Sequence, residues 1–491
     1  MASDRFESYL QHRFESDVHF SDFSISLLPR VSGTISHLEL RHKGRTDIPP
    51  LIQVAAVHFE ASFFGLFRPR HVINTVRLDE LQIHIPPRQP GGKPLISPTD
   101  EDLAMKYPLV IGEIIADDAR LVILGANANV PQPFTIHHLE LHDFGLDRPA
   151  SFLAVLTIPV PKGDVHATGE FGPWHADEPS LTPTNGQYVL SGANMATFKG
   201  LNGTLGSTGK FAGPLDYMEV DGETEIPNFS LRISNNPVDL HTKFSALVDG
   251  TNGDTMLKAV TAHFLDTTLD VRGKILDETP MKGRTIDLDA VSSGARIEDL
   301  LRLAVKNDPP VMSGSARLNA KIYIGEGNDD ILQRMKLDGQ FGVAEMAFSN
   351  RRVQEKVDTL SHKAEGHPKE PPGDAELSEL SGSFRDDKGL MTFSNLSFGV
   401  AGARITLAGT YAMDSGEMDF HGTLEMKAKL SQTTTGKKSF FLKAVDPFFK
   451  GKNGGTSLPI KITGTKDHPS FGLDTGHGKP SANSTSPAGL P

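Results

Sequence analysis

The feature that most constrains this chain is the stretch from 404 to 430, where apolar and polar residues alternate one for one. Ile405, Leu407, Gly409 and Tyr411 fall on one side of an extended strand, DSGE (414–417) makes a turn, and Met418, Phe420, Gly422, Leu424, Met426 and Ala428 fall on one side of the return. Asp419, His421, Thr423, Glu425 and Lys427 occupy the other side. Successive strand side chains point to opposite faces, so the segment reads as an antiparallel pair with one apolar and one polar face. Strands of about ten residues run ~30 Å at ~3.3 Å per residue, long for a soluble globular protein.

The same period begins near residue 17. Val57, Phe59, Ala61 and Phe63 alternate with His58, Glu60 and Ser62. Val76 and Leu78 share a face, and Leu81, Ile83 and Ile85 resume it after a phase slip at Asp79–Glu80, which predicts a bulge or a turn. TISHLELRHKG (34–44) repeats as TIHHLELHDFG (135–145), and VRLDELQIHI (76–85) is echoed, one residue offset, by IADDARLVIL (115–124). Self-similar hairpin-sized units imply a sheet built by repetition. Residues 86–106 form a Pro/Gly-rich loop, and from about 150 to 290 short strands are separated by Gly, Pro and Asn.

Helical spacing is confined to three places. Phe6, Tyr9, Leu10 and Phe14 mark a helix at about 3–15. Ile297, Leu300, Leu301 and Val305 mark one at 295–307, and Val353, Val357 and Leu360 mark one at 349–366 with Ser349 or Asn350 as its N-cap. The expected fold is mainly β: a long curved antiparallel sheet forming a taco-like groove, with these few helices. The expected organisation is an N-terminal β module with its leading helix (1–87), a central β-repeat region (107–290), a helix-interrupted β domain (291–474) and a disordered tail (475–491).

Composition agrees with that reading and excludes others. Among 491 residues, 47 Gly and 33 Pro suit many short strands and tight turns. The absence of Cys excludes disulfides, Cys-ligated zinc, iron–sulfur clusters and a Cys nucleophile. A net charge of −12 without a basic patch argues against nucleic acid as a partner, and against docking on anionic headgroups by bulk electrostatics. No run of ~18 apolar residues is present, and MASDRFESYLQHRF lacks the apolar core of a secretory signal.

Signatures of chemistry are missing as well. The sequence has no HExxH, GxSxG, Walker-type or EF-hand motif, and GKKS (436–439) lacks the upstream glycine of a phosphate loop. His137, His138 and His142 form the best metal candidate. On a strand, however, His138 and His142 share a face ~13 Å apart, beyond the reach of one zinc. Asp117–Asp118 and Asp329–Asp330 point to opposite faces on a strand or complement a dipole at a helix start, and neither makes an acid/base pair. The expectation is a non-enzyme with no cofactor and no metal. What remains is the apolar strand face, either ordinary core under a helix or second sheet, or an open trough for acyl chains, where each buried CH₂ contributes ~0.8 kcal/mol. The residues leave both open; the candidate lining is Ile405, Leu407, Tyr411, Met418, Phe420, Leu424 and Met426.

Three segments resemble the AsmA-like family. Residues 17–87 resemble its N-terminal module: Ser26–Leu27–Leu28–Pro29 at a strand-end turn, a His37–Arg41 strand, Pro-Pro-Leu-Ile (49–52), the SFFGLF-bearing strand (59–67) and the closing VRLDELQIHI (76–85). The helix around Asn350–Leu360 is similar to the segment before the family's C-terminal repeat. DPFFKGKNGGTSLPIKITGTKDHPSFGLD (446–474) is similar to the close of its C-terminal domain. The family is similar to bridge-like lipid-transfer proteins. The resemblance therefore implies a β groove for phospholipid or another acyl-chain lipid, a body on the periplasmic side of the inner membrane of a bacterial cell envelope, and a role in outer-membrane lipid homeostasis and assembly. It also implies an inner-membrane anchor helix ahead of Asp4–Phe14, expected to lie upstream of Met1. Its motifs are structural, so no catalytic residue is carried over. The alternative is a scaffold for outer-membrane proteins or their assembly proteins, adding a client strand at a sheet edge; an enzyme on a β-solenoid ranks last.

Overall fold

The computed structural model describes residues 16–27, 30–42, 46–62, 71–85, 109–124, 132–145, 147–175, 178–277, 283–306, 309–367, 378–433, 455–465 and 468–474. Among them the fold is mainly β, a mixed sheet of 26 strands with three α-helices. The chain divides into two compact units, Met1–Pro310 with Arg317–Leu337, and Val311–Ala316 with Asp338–Pro491. The expected helix at 3–15 and the tail 475–491 lie outside the described residues.

In the first unit, β1 (Ser16–His19) and β2 (Asp22–Ser26) lie end to end along β3 (Val31–His42). β4 (Ile52–Ala61) follows, then β5 (His71–Asp79) and β6 (Gln82–Ile85), again end to end. β7 (Leu109–Ile123) pairs parallel with both, which departs from the all-antiparallel expectation. The reason is the long connection between Ile85 and Leu109: parallel neighbours need a crossover of a dozen or more residues, where a hairpin needs two. The Val76 echo is this pairing itself, in a register one residue from the sequence match, Val76 facing Ile114 and Ile85 facing Ile123. Each strand then turns back on the one before: β8 (Gln132–Gly145), β9 (Ala150–Pro159), β10 (Lys162–Phe171) and β11 (Pro183–Asn194). After the two-residue β12 (Leu201–Asn202) the run continues through β13 (Thr204–Pro214), β14 (Met218–Leu231), β15 (Val238–Val248), β16 (Thr255–Phe264), β17 (Thr267–Leu276) and β18 (Thr285–Arg296). Helix α1 (Ile297–Ala304) is shorter than its apolar spacing predicted, because Ala295 and Arg296 remain in β18 and Val305 is extended.

Its N-terminal strands close on a core. Ile35, Val54, Val57, Val76, Leu81, Ile114, Ala119 and Ile136 are buried together. Within each strand the buried apolar residues step by three at one place: Ile35 to Leu38, Val54 to Val57, Leu78 to Leu81, Ala116 to Ala119, Ile136 to Leu139. The steps line up across β3 to β8, and left-handed residues mark the line at His37, Glu80 and Asp118. The phase slip at Asp79–Glu80 is one element of this seam, which swaps the faces of all five ranks at once so that both halves bury the same side. Beyond the seam, Trp174, just after β10, packs with Val18, Leu40 and Leu51. Six strand spacings separate β3 from β10, about 29 Å in a flat sheet, so this part of the sheet coils back on itself.

β19 (Met312–Ile324) and β20 (Met335–Phe348) are divided between the units by residue, and the one-turn α2 (Ile331–Arg334), capped by Asp330, lies in the first. In the second unit α3 (Arg351–Glu365) starts at Asn350, whose side chain accepts from the Arg352 and Val353 amides, and stops at Gly366 in the left-handed region. β21 (Ser378–Asp387), β22 (Leu390–Val400), β23 (Ala403–Ala412), β24 (Glu417–Met426), β25 (Thr456–Thr465) and β26 (Pro469–Leu473) then pair in chain order, all antiparallel.

Candidate functional site

The seven lining residues named from the sequence share one face of β23 and β24. Ile405 faces Leu424, Tyr411 faces Met418, Met426 faces Ala403, and Leu407 and Phe420 face glycines of the neighbouring strand. Leu407 and Met426 are buried and the other five are half-buried, while Asp419, His421, Thr423 and Glu425 on the reverse are exposed. The face extends sideways through Phe384, Phe393, Phe398, Ile460 and Ile462. Phe393 and Phe420 flank Gly409 on the strand between them, and their ring centroids come within 5.9 Å. Two strand spacings alone would put them ~9.6 Å apart, so both rings lean over the glycine. A Cβ there would lie 2.1 Å from the Asp419 carbonyl oxygen and 2.8 Å from Phe420 Cδ1.

One end of this face is covered. Ala364 and Leu360 of α3 pack against Ala403, Met426 and Leu424. Ser361 Oγ donates to the Ala401 carbonyl at 3.0 Å, and the Ala428 amide donates to the Ala364 carbonyl at 2.8 Å. Away from that end the face is half-exposed. At its edge, β26 is exposed throughout, with Phe471 at 71%.

The first unit repeats the arrangement on β10 to β18. Val165, Tyr188, Phe211, Val220, Leu240, Phe244, Leu257, Val271 and Leu288 point to one half-buried side, and most of the positions that alternate with them are exposed. The exposed side is charged, with pairs such as Lys258–Glu219 at 2.9 Å and Lys321–Asp289 at 3.6 Å. Hydroxyls on the apolar side satisfy one another: Tyr188 with Ser207 at 3.1 Å, and Thr224 with Thr242 at 2.5 Å. Apart from hydrogen-bonded strand neighbours, the main packing contacts bring α1 onto β14 and β18 and α3 onto β23. Among the described residues no second sheet lies over either face. Among the described residues, the apolar side is closed core under β3–β8 and a half-buried side with no second sheet over it on β10–β18 and β21–β25.

The histidine candidates are ion-paired instead of convergent. His138 Nδ1 lies 2.7 Å from Asp117 Oδ1 and its Nε2 lies 3.5 Å from Glu140, which also meets His142 Nε2 at 3.5 Å. The bond with Asp117, opposed by slight desolvation, holds the His138 imidazole above its ordinary pKa. His137 turns away to Thr157 at 2.8 Å. Among the described residues no three His, Asp or Glu side chains gather as a metal site. Asp118 takes the left-handed seam position and Asp330 caps α2, so neither adjacent-aspartate pair makes an acid/base dyad. No described helix is long and apolar enough to cross a membrane.

One residue of the face escaped the sequence reading. Asp386 sits on the apolar side of β21, facing Met391, while Arg385 and Asp387 beside it are exposed. Written SFRDDKG, the segment reads as a charged turn, and only the register shows which of its two aspartates turns inward. No protein-family model matches the chain, and no curated protein matches it.

Proposed function

We propose that this chain is a non-enzymatic lipid-binding protein of AsmA-like type, taking up acyl chains along the apolar sides of β10–β18 and β21–β25. The observation that carries the reading is the pairing of a charged, largely exposed face with an apolar face over which, among the described residues, no second sheet lies. A single-layer sheet of ordinary kind leaves its second face polar. A contiguous, half-buried apolar face of this kind supports the reading of a binding surface, and acyl chains need nothing from it but contact. The sequence resemblance supports the same reading and adds its setting, a body on the periplasmic side of a bacterial inner membrane that supplies lipid to outer-membrane assembly.

The test is native mass spectrometry with lipid analysis on the chain purified gently from a membrane-containing lysate. Bound phospholipid at defined stoichiometry is the expected result. A bare protein mass, with no uptake of added fluorescent phospholipid, would refute the proposal. A second reading, a scaffold that adds a client strand, draws on the exposed edge strand β26 with its outward Phe471. Crosslinking that recovers protein partners through 469–473, together with the bare mass, would favour it.

A further inference from the structure

On β21–β25 the apolar side carries one charged residue, Asp386. Only 1% of it is exposed, and among the described residues neither carboxylate oxygen has a hydrogen-bond partner. The Gly389 amide across the turn stabilises the charge slightly without reaching hydrogen-bond geometry, and burial outweighs it, pushing the carboxyl above its ordinary pKa. The neighbouring cation, Arg385, is on the opposite side and committed to Asp338 at 2.7 Å. A buried acceptor left unpaired costs free energy that an apolar residue of similar size would not. Nothing in the strand pairing requires a carboxylate there: Asp386 faces Met391, which faces Tyr411, which faces Met418.

We propose that Asp386 is the headgroup residue of the lipid site in the second unit, receiving the primary ammonium of an amphiphile whose acyl chain lies along β22–β24. The inference rests on the lipid-binding reading above. Two orphan oxygens and a charge call for a partner with a positive charge and more than one donor. A primary ammonium supplies three N–H groups, a hydroxyl supplies one, and a quaternary ammonium supplies none. The geometry suits a chain anchored at this end. From the Tyr411 row to the Ala403 row is eight residues, about 27 Å at strand rise. That exceeds the ~15 Å of one leaflet of a bilayer's hydrocarbon core, and the far end is stopped by α3 at Ala403 and Met426.

The experiment compares uptake by the full chain from vesicles of ethanolamine-headed or choline-headed phospholipid with the same acyl chains, for the native protein and for Asp386→Leu. The native protein is expected to prefer the ethanolamine lipid by about tenfold or more, the ordinary worth of a hydrogen bond to a charged group. Asp386→Leu is expected to lose that preference and to resist urea better than the native protein. Equal uptake of both lipids by the native protein overturns the headgroup role and leaves the groove reading standing. Uptake of neither overturns both. If the leucine variant does not fold, Asp386→Asn keeps the shape and loses the charge; an unchanged preference in that variant also overturns the proposal.

Discussion

Replacing Phe420 by Ala separates an open apolar face from a closed core. Phe420 is half-buried, and its ring centroid lies 5.9 Å from that of Phe393. Burying a whole Phe contributes ~1.5–3 kcal/mol and an aromatic pair ~0.5–1.5 more. Half of the first and all of the second give a loss of about 1–3 kcal/mol. Ile35, 5% exposed inside the coiled N-terminal core, is the matched control: truncation to Ala leaves a cavity and costs ~2–5 kcal/mol. The assay is urea unfolding by circular dichroism, run beside lipid stoichiometry by native mass spectrometry. Phe420→Ala is expected to cost less than Ile35→Ala and to lower bound lipid, and Ile35→Ala to leave lipid occupancy of the folded fraction unchanged. A loss of ~3–5 kcal/mol at Phe420 with unchanged lipid would mean that its face is closed core, and would refute the reasoning.

Three further outcomes are expected. His421 lies between Asp474 at 2.8 Å and Asp419 at 3.0 Å, and these carboxylates raise its pKa above the ordinary 6.5. A raised folded value stabilises fully below the unfolded pKa and is lost as pH rises through the folded one. Amide exchange at 469–473, corrected for its intrinsic pH dependence, should therefore quicken relative to β24 as pH rises above 6.5, and His421→Gln should remove the trend. Asn350→Ala should cost about 1 kcal/mol through loss of the α3 cap, read as a shift in the urea midpoint. Trp174, the single tryptophan, is packed against Val18, Leu40 and Leu51; Leu40→Asp should move its emission to the red, and an unmoved spectrum would argue against the coil that brings β10 back to β3.

Strand identity and sidedness were legible where the alternation is unbroken. The 404–430 pair and its DSGE turn emerge as β23 and β24 because both faces are one-signed over ten residues. The slip at Asp79–Glu80 was legible as a local event; that it belongs to a seam crossing five ranks was not, since registers align only once the strands pair. Whether an apolar face is covered is a property of the layers around it, and the alternation of Val57, Phe59 and Ala61 in β4, which lies in a core, looks like that of Val238, Leu240 and Phe244 in β15, over which no second sheet lies among the described residues. The parallel step escaped because 86–106 announces a loop without saying at which end of the sheet it lands. Asp386 escaped for the same reason as its inward turn: two adjacent aspartates before Lys388–Gly389 look alike until pairing assigns a side.

From β7 to β18, pairing runs almost wholly between strands that are neighbours in sequence, with the two-residue β12 as the interruption. A hairpin added to or removed from such a run leaves the remaining registers and the sidedness of every other strand intact, because each strand answers only to its immediate neighbours. The width of the apolar face is thus set by counting hairpins, and it can grow or shrink without redesigning a core.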